Sequence, residues 1–194
     1  MQNICGTTRQ NEVFMPLVID DSFARAVDIV LSHEGGFADK KGDRGGPTNF
    51  GISLKFLELF PEGDINKDGM VDRRDVELLT RDQAIDFYWR EFWNKFQYGK
   101  FNDWCLATKV FDLAVNMGPS QAHCLLQQAL LALGIKIIID GKLGTATFRA
   151  ANNANRDALL AALRAEAAGF YRLIARLNPG QDKFLTGWLN RAYS

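Results

Sequence analysis

His33-Glu34-Gly35-Gly36-Phe37-Ala38-Asp39-Lys40-Lys41-Gly42-Asp43-Arg44-Gly45-Gly46-Pro47-Thr48-Asn49-Phe50-Gly51-Ile52 is the stretch on which the reading of this chain turns. Its glycine density predicts a long irregular or hairpin segment, the kind of loop that often carries function. A His-Glu pair invites a zinc-protease reading, but that motif needs a second His three residues after the Glu, and Phe37 stands there. Gly45-Gly46 lacks the Lys-Ser/Thr of a phosphate loop. What remains is Glu34 at the end of an apolar helical stripe. Eight residues separate it from Asp43, and four more lead to Thr48. A carboxylic acid, a second carboxylate and a hydroxyl are the parts for cleaving a glycosidic bond: the acid protonates the leaving oxygen, and the others position water or support the oxocarbenium-like transition state. The alternative left open by spacing alone is a Glu34 that caps or salt-bridges, beside a surface turn at Asp43-Arg44.

Composition narrows the field. The chain has 194 residues, with 23 Lys+Arg against 23 Asp+Glu, so its formal net charge is zero. That argues against a nucleic-acid partner held by phosphate contacts. Apolar residues make up 47% and charged residues 24%, which excludes disorder and leaves enough for a sizeable core. Three cysteines, Cys5, Cys105 and Cys124, exclude a dense disulfide framework, although one Cys105–Cys124 bridge stays open. Two histidines leave little room for a His-based zinc site. The first fourteen residues are polar with no apolar core and do not read as a signal peptide. The most apolar run, Leu125–Ile139, is interrupted by Gln127, Gln128, Gly134 and Lys136, so it reads as a buried helix and a short strand over Lys136–Ile139, not a membrane span.

The remaining pattern is mainly helical. Asp21-Ser22 is the expected cap of a helix running to Ser32. Ser53 caps a short one through Phe60. Thr80-x-x-Gln83 is a capping box ahead of a long aromatic helix that carries Tyr88 and Trp93. Further helices are expected over Asp103–Asn116, Ser120–Leu133, from Thr145, from Asn155 to Asn178, and over Gln181–Tyr193. Residues 1–20 read as a flexible arm, 21–100 as one lobe and 101–194 as a second helical lobe, with Asn116–Ser120 the softest seam. No heptad appears, so a monomer is expected.

One further motif stands out. Asp64, Asn66, Asp68, Met70, Asp72 and Asp75 occupy positions 1, 3, 5, 7, 9 and 12 of a loop with Gly69 at position 6. This is the calcium-loop pattern of an EF-hand, with Met70 contributing its carbonyl and Asp75 replacing the usual bidentate Glu. A single loop of this type points to a structural calcium ion, not to signalling.

The segment from Glu34 through Ile52 resembles the signature of glycoside hydrolase family 108: Glu-Gly-Gly-aromatic, then Asp-x-Gly-Gly-x-Thr-x-aromatic-Gly-Ile. Every element is matched, at Glu34, Gly35, Gly36, Phe37, Asp43, Gly45, Gly46, Thr48, Phe50, Gly51 and Ile52. The acidic loop with LTRDQAIDFYWREFW, and the later stretch FDLAVNMGPSQAHCLLQQAL, are similar to that family and to its C-terminal peptidoglycan-binding part. The resemblance implies a mainly α, two-lobed lysozyme-like fold with a small β-hairpin near residues 36–52. It implies a phage or prophage N-acetylmuramidase acting on peptidoglycan without a catalytic cofactor, reaching the wall through a holin pore. Glu34 matches the family's acid, and Asp43 and Thr48 carry over by position. Phe50, Tyr88, Trp93 and Asn116 become candidate sugar contacts, against core packing as the commoner role of Tyr88 and Trp93 and a helix C-cap as the alternative for Asn116. A lytic transglycosylase using Glu34 as acid and base, or a non-catalytic wall-binding module, are the competing readings.

Overall fold

The computed structural model describes residues 20–39 and 46–194. The expected arm, Cys5 and Asp43 lie outside the described residues. The first element, α1 (Asp21–Glu34), is capped by Asp20 and not by the expected Asp21-Ser22: Asp20 Oδ1 accepts from the Phe23 amide at 2.6 Å. Its other oxygen accepts from the Trp93 indole at 3.3 Å, so one carboxylate starts the helix and ties it to the core. Phe23, Ala26, Val27 and Val30 recur at helical spacing and are buried, while Glu34 closes the last turn and Gly35 (φ 71°) ends it.

The glycine-rich segment returns as a minimal hairpin. Strands β1 (Thr48–Asn49) and β2 (Ile52–Ser53) pair antiparallel, and Ala38 bridges to Thr48. The two-residue turn is Phe50-Gly51, with φ of 51° and 78°. Both values lie in the left-handed region that such tight hairpin turns demand. Asn49 is buried, and its side-chain amide donates to the carbonyls of Val76 (3.0 Å) and Leu79 (3.3 Å). The hairpin is thus clipped to α3 (Arg73–Leu78), the helix that follows the acidic loop. Between them α2 (Leu54–Leu57) is only one turn, shorter than expected.

The capping box Thr80–Gln83 forms as the sequence predicts and opens α4 (Arg81–Tyr88), which widens into a π-helical turn over Trp89–Asn94. The aromatic rings there are core. Phe111, on α5 (Trp104–Met117), sits among Phe23, Tyr88, Trp93 and Tyr98 with ring centres 5.6–6.2 Å away. After α5 come α6 (Pro119–Ala132), α7 (Thr145–Asn153), the long α8 (Arg156–Leu177) and α9 (Leu185–Tyr193). Helix α5 packs on α1 and on α6, and α8 packs on α6 and α9. The fold is therefore mainly helical and lysozyme-like, with the small hairpin as its only named sheet among the described residues. Lys136–Ile139 is extended but pairs with no strand; Ile138 is 77% exposed there, so the expected strand is corrected to a surface connection. Cys105 and Cys124 are both free thiols.

Candidate functional site

The side chain of Glu34 stands between the hairpin turn and α9. On one side is Gly51. A Cβ placed there would lie 2.5 Å from the Tyr88 hydroxyl and 2.6 Å from Glu34 Cγ, at a φ that side chains rarely adopt. Only glycine lets the turn approach this closely. The turn is fastened from below by the Tyr88 hydroxyl, which donates to the Phe50 carbonyl at 2.8 Å. Burial pushes the Tyr88 phenol well above its ordinary range, with Glu34 adding to the effect, so it stays a neutral donor.

On the other side is Arg191 of α9. Its Nη2 donates to Glu34 Oε1 at 2.5 Å, and its Nε lies 3.5 Å from Asp112 Oδ1. Arg191 and Asp112 are almost wholly buried, whereas the Glu34 side chain keeps 19% of its surface open. Burial works against the Arg191 charge, but Asp112 and Glu34 outweigh it and hold the guanidinium above its ordinary value. His33 completes the chain at 3.1 Å from the same Asp112 oxygen. Among the described residues the second Asp112 oxygen is buried with no hydrogen-bond partner, as is the Thr108 hydroxyl one helical turn earlier. Lys109, beside them, donates to the Arg191 carbonyl, and burial lowers its ammonium to about 8.

Glu34 opens into a cleft of about 560 Å³. From the first half of the chain it is lined by Ser32, His33, Glu34 and Asn116. From α9 it is lined by Gly187, Trp188, Asn190 and Arg191. Asn116 accepts from the Tyr171 hydroxyl at 2.8 Å and is exposed in the cleft; the cap of α5 is Gly118, so Asn116 is not the helix-end cap.

Of the residues expected from sequence, the structure brings Glu34 and Asn116 to this cleft, whereas Phe50 does not line it: its ring packs against the core in the turn behind Glu34. Thr48 lies in β1, its backbone committed to Ala38 and Ser53. Tyr88 and Trp93 are corrected: they are 1% and 2% exposed, so neither ring can stack on a sugar. Tyr88 instead holds the turn beside Glu34. Arg191 and Asp112 were missed. A charged residue inside the apolar run Val110-Phe111-Asp112-Leu113 was a readable signal; Arg191, 157 residues from Glu34, gave none.

The acidic loop winds as a tight turn with left-handed Lys67 and Gly69. Asp64 accepts from the amides of Asp68 and Gly69, Asn66 from Asp68, and Asp68 from Met70. Asp72 caps α3. Asp75 is fully buried and accepts from the amides of Ile65, Asn66 and Asp72. Burial alone would raise its carboxyl, but those amides outweigh it and leave it below the usual carboxylate range. With both oxygens so engaged, Asp75 does not serve as the twelfth-position ligand, which corrects that expectation. Among the described residues no group of three or more His, Cys, Asp or Glu is placed to hold a metal ion. Through Asp72 and Asp75 the loop braces α3, and α3 holds the hairpin.

Comparison with known proteins agrees with this layout. Residues 27–118 match the family described as glycosyl hydrolase 108, and residues 121–193 match the one described as a predicted peptidoglycan domain. Among solved structures, that of Brucella abortus SagA is similar, with 26% identity and a TM-score of 0.66 over 88% of this chain and 93% of that one. No curated protein matches the chain.

Proposed function

We propose that this chain, which belongs over residues 27–118 to the glycosyl hydrolase 108 family and continues over residues 121–193 as a predicted peptidoglycan domain, is an N-acetylmuramidase with Glu34 as its general acid. The two regions together make it a peptidoglycan hydrolase; the bond cleaved and the role of Glu34 are the proposal. The observation that carries it is the placement of Glu34 at a cleft, backed by a turn that tolerates only glycine and held by a buried guanidinium.

Cleavage of a glycosidic bond needs a proton delivered to the leaving oxygen as positive charge builds on the sugar ring. Glu34, at the cleft wall, is the group to deliver it. A lone guanidinium beside Glu34 would be left without a counter-charge each time the carboxyl carries the proton it delivers. Asp112 supplies that counter-charge. It keeps an anionic partner on Arg191, so Glu34 can take up a proton without leaving the guanidinium unpaired. Once Glu34 has given its proton away, Arg191 stabilises the carboxylate. Thr48 and Asp43 are the candidates for positioning water on the far side of the sugar. Delivery to the wall through a holin pore belongs to the same proposal; no helix among the described residues is long and apolar enough to cross a membrane.

The test is clearance of purified peptidoglycan by the wild type and by Glu34→Gln. Loss of a general acid lowers the rate by about 10²–10⁴-fold. Equal clearance by both proteins overturns the assignment. Analysis of the product ends checks the reaction class, since a new reducing muramic acid marks muramidase hydrolysis and an anhydro ring marks a transglycosylase.

A further inference from the structure

The cleft that holds Glu34 is not built by the first region alone. Its opposite wall is α9, inside the stretch matched to the predicted peptidoglycan domain. We infer that this second region is not a separate wall tether: it completes the catalytic cleft and binds the same length of glycan strand on which Glu34 acts, through a sugar subsite formed by Trp188, Asn190 and Asn116.

Three observations carry this. The first is a direct ionic contact. Arg191 of α9 holds Glu34 directly and is itself held by Asp112 of α5, so the two regions share one buried ion-pair cluster and cannot move independently without breaking it. Breaking a buried pair is strongly unfavourable. The second is the chemistry of the wall. Trp188 is half-buried and stacked on Tyr171, with centroids 5.5 Å apart and planes 21° from parallel, so the indole is fixed while its remaining surface lines the cleft. Tyr171 also donates to Asn116 Oδ1. That fixes the amide with its Nδ2 turned to no acceptor among the described residues. A rigid aromatic face next to preset amide groups suits a sugar ring, whose faces are apolar and whose rim bears hydroxyl and N-acetyl groups. The third is size. A cleft of about 560 Å³ lies within the range of ligand sites and is larger than the groove of about 400 Å³ beside Ile137 and Arg149.

This inference rests on reading Glu34 as the acid, and its test separates the two. Gly187 lies on the exposed face of α9 at the cleft, and a Cβ there meets nothing within 4 Å. Gly187→Phe therefore fills the cleft without crowding the core, and replacing a helical glycine does not weaken the helix. Binding to intact sacculi is measured by sedimentation in the Glu34→Gln background, with thermal melting as the folding check. The expected result is that Gly187→Phe weakens binding at least about tenfold, a loss of little more than one good contact. Asn190→Ala, on an exposed position, weakens it in the same direction by a smaller factor. Ile138→Asp, at an exposed position next to Ile137 and away from the cleft, leaves binding unchanged. A soluble disaccharide-repeat tetrasaccharide displaces the protein from sacculi. Retained binding in folded Gly187→Phe, or loss of binding in Ile138→Asp, overturns the inference. Failure of the wild type to clear peptidoglycan overturns the enzymatic reading instead and leaves the binding result standing.

Discussion

Two buried polar clusters sit on neighbouring helices and are built on opposite plans. On α6, His123 and Gln127 are satisfied completely. His123 Nδ1 faces the Gly141 carbonyl, which can only accept, so Nε2 accepts from the Tyr98 hydroxyl. Gln127 donates to Asp140 and the Lys142 carbonyl and accepts from the amides of Asp140 and Gly141. All but the Tyr98 bond close the 140–142 turn onto the helix. On α5, Asp112 leaves one buried oxygen without a partner among the described residues, Thr108 leaves its hydroxyl so, and Lys109 is a desolvated cation. Buried polar atoms are normally paired, and the exceptions call for an explanation. The satisfied cluster is a clasp. The unsatisfied one lies next to Glu34, where the proposed mechanism requires a proton to be transferred.

The contrast breaks most sharply at Arg191. Arg191→Leu leaves Asp112 and Glu34 without their cation and is expected to destabilise by about 3–5 kcal/mol, read by denaturant melts. Peptidoglycan clearance is expected to fall with it, and Arg191→Lys to recover stability better than activity, because one ammonium cannot hold two carboxylates in a fixed fork. Gly51→Ala comes next. Its Cβ has no room and its φ is unfavourable, so a loss of roughly 1–3 kcal/mol and at least about tenfold in activity is expected as Glu34 is displaced. Gln127→Leu, in the clasp, is expected to destabilise by about 1–3 kcal/mol while specific activity at 20 °C stays within about twofold. Activity loss equal to that of Gly51→Ala would erase the distinction between the clusters.

Two pH effects sharpen it further. Lys109 is lowered from 10.5 to about 8, so the unfolded chain binds the extra proton between those values. Its burial weakens the fold at pH 7, and that penalty lifts as pH rises from about 8; Lys109→Met is expected to flatten this rise. His123 is also lowered, by burial first, with the Gly141 hydrogen bond opposing. Its stabilising share is therefore present above the ordinary histidine value and lost as pH falls below it. The smallest expected effect is that of calcium. With Asp75 already bonded to three amides, chelation is expected to shift the melting temperature by no more than about 1 °C, whereas an occupied structural site would stabilise by several kcal/mol at saturating ion.

Local chemistry was legible in the sequence. The capping box at Thr80, the stop at Gly118-Pro119 and the Ala/Leu periodicity of α8 are written within a few residues of where they act. The Phe50-Gly51 turn was legible only as part of a longer motif. Trp93 and Tyr88 misled because an aromatic ring fits a core and a sugar platform equally well, and burial decides between them. At 64–75 the spacing marks which oxygens are available, not that backbone amides bond those of Asp75. Arg191 was illegible, since a contact made across 157 residues leaves no trace in either neighbourhood.

That same separation has a consequence in time. A ribosome adds about 5–20 residues per second, so roughly 8–30 s pass between the addition of Glu34 and that of Arg191. Through that interval the nascent chain carries Glu34 but neither the guanidinium that holds it nor the wall that faces it. The cleft becomes whole only when α9 docks, after every other described helix has been made. A chain cut short before Arg191 would carry the hydrolase signature intact and lack the assembled cleft.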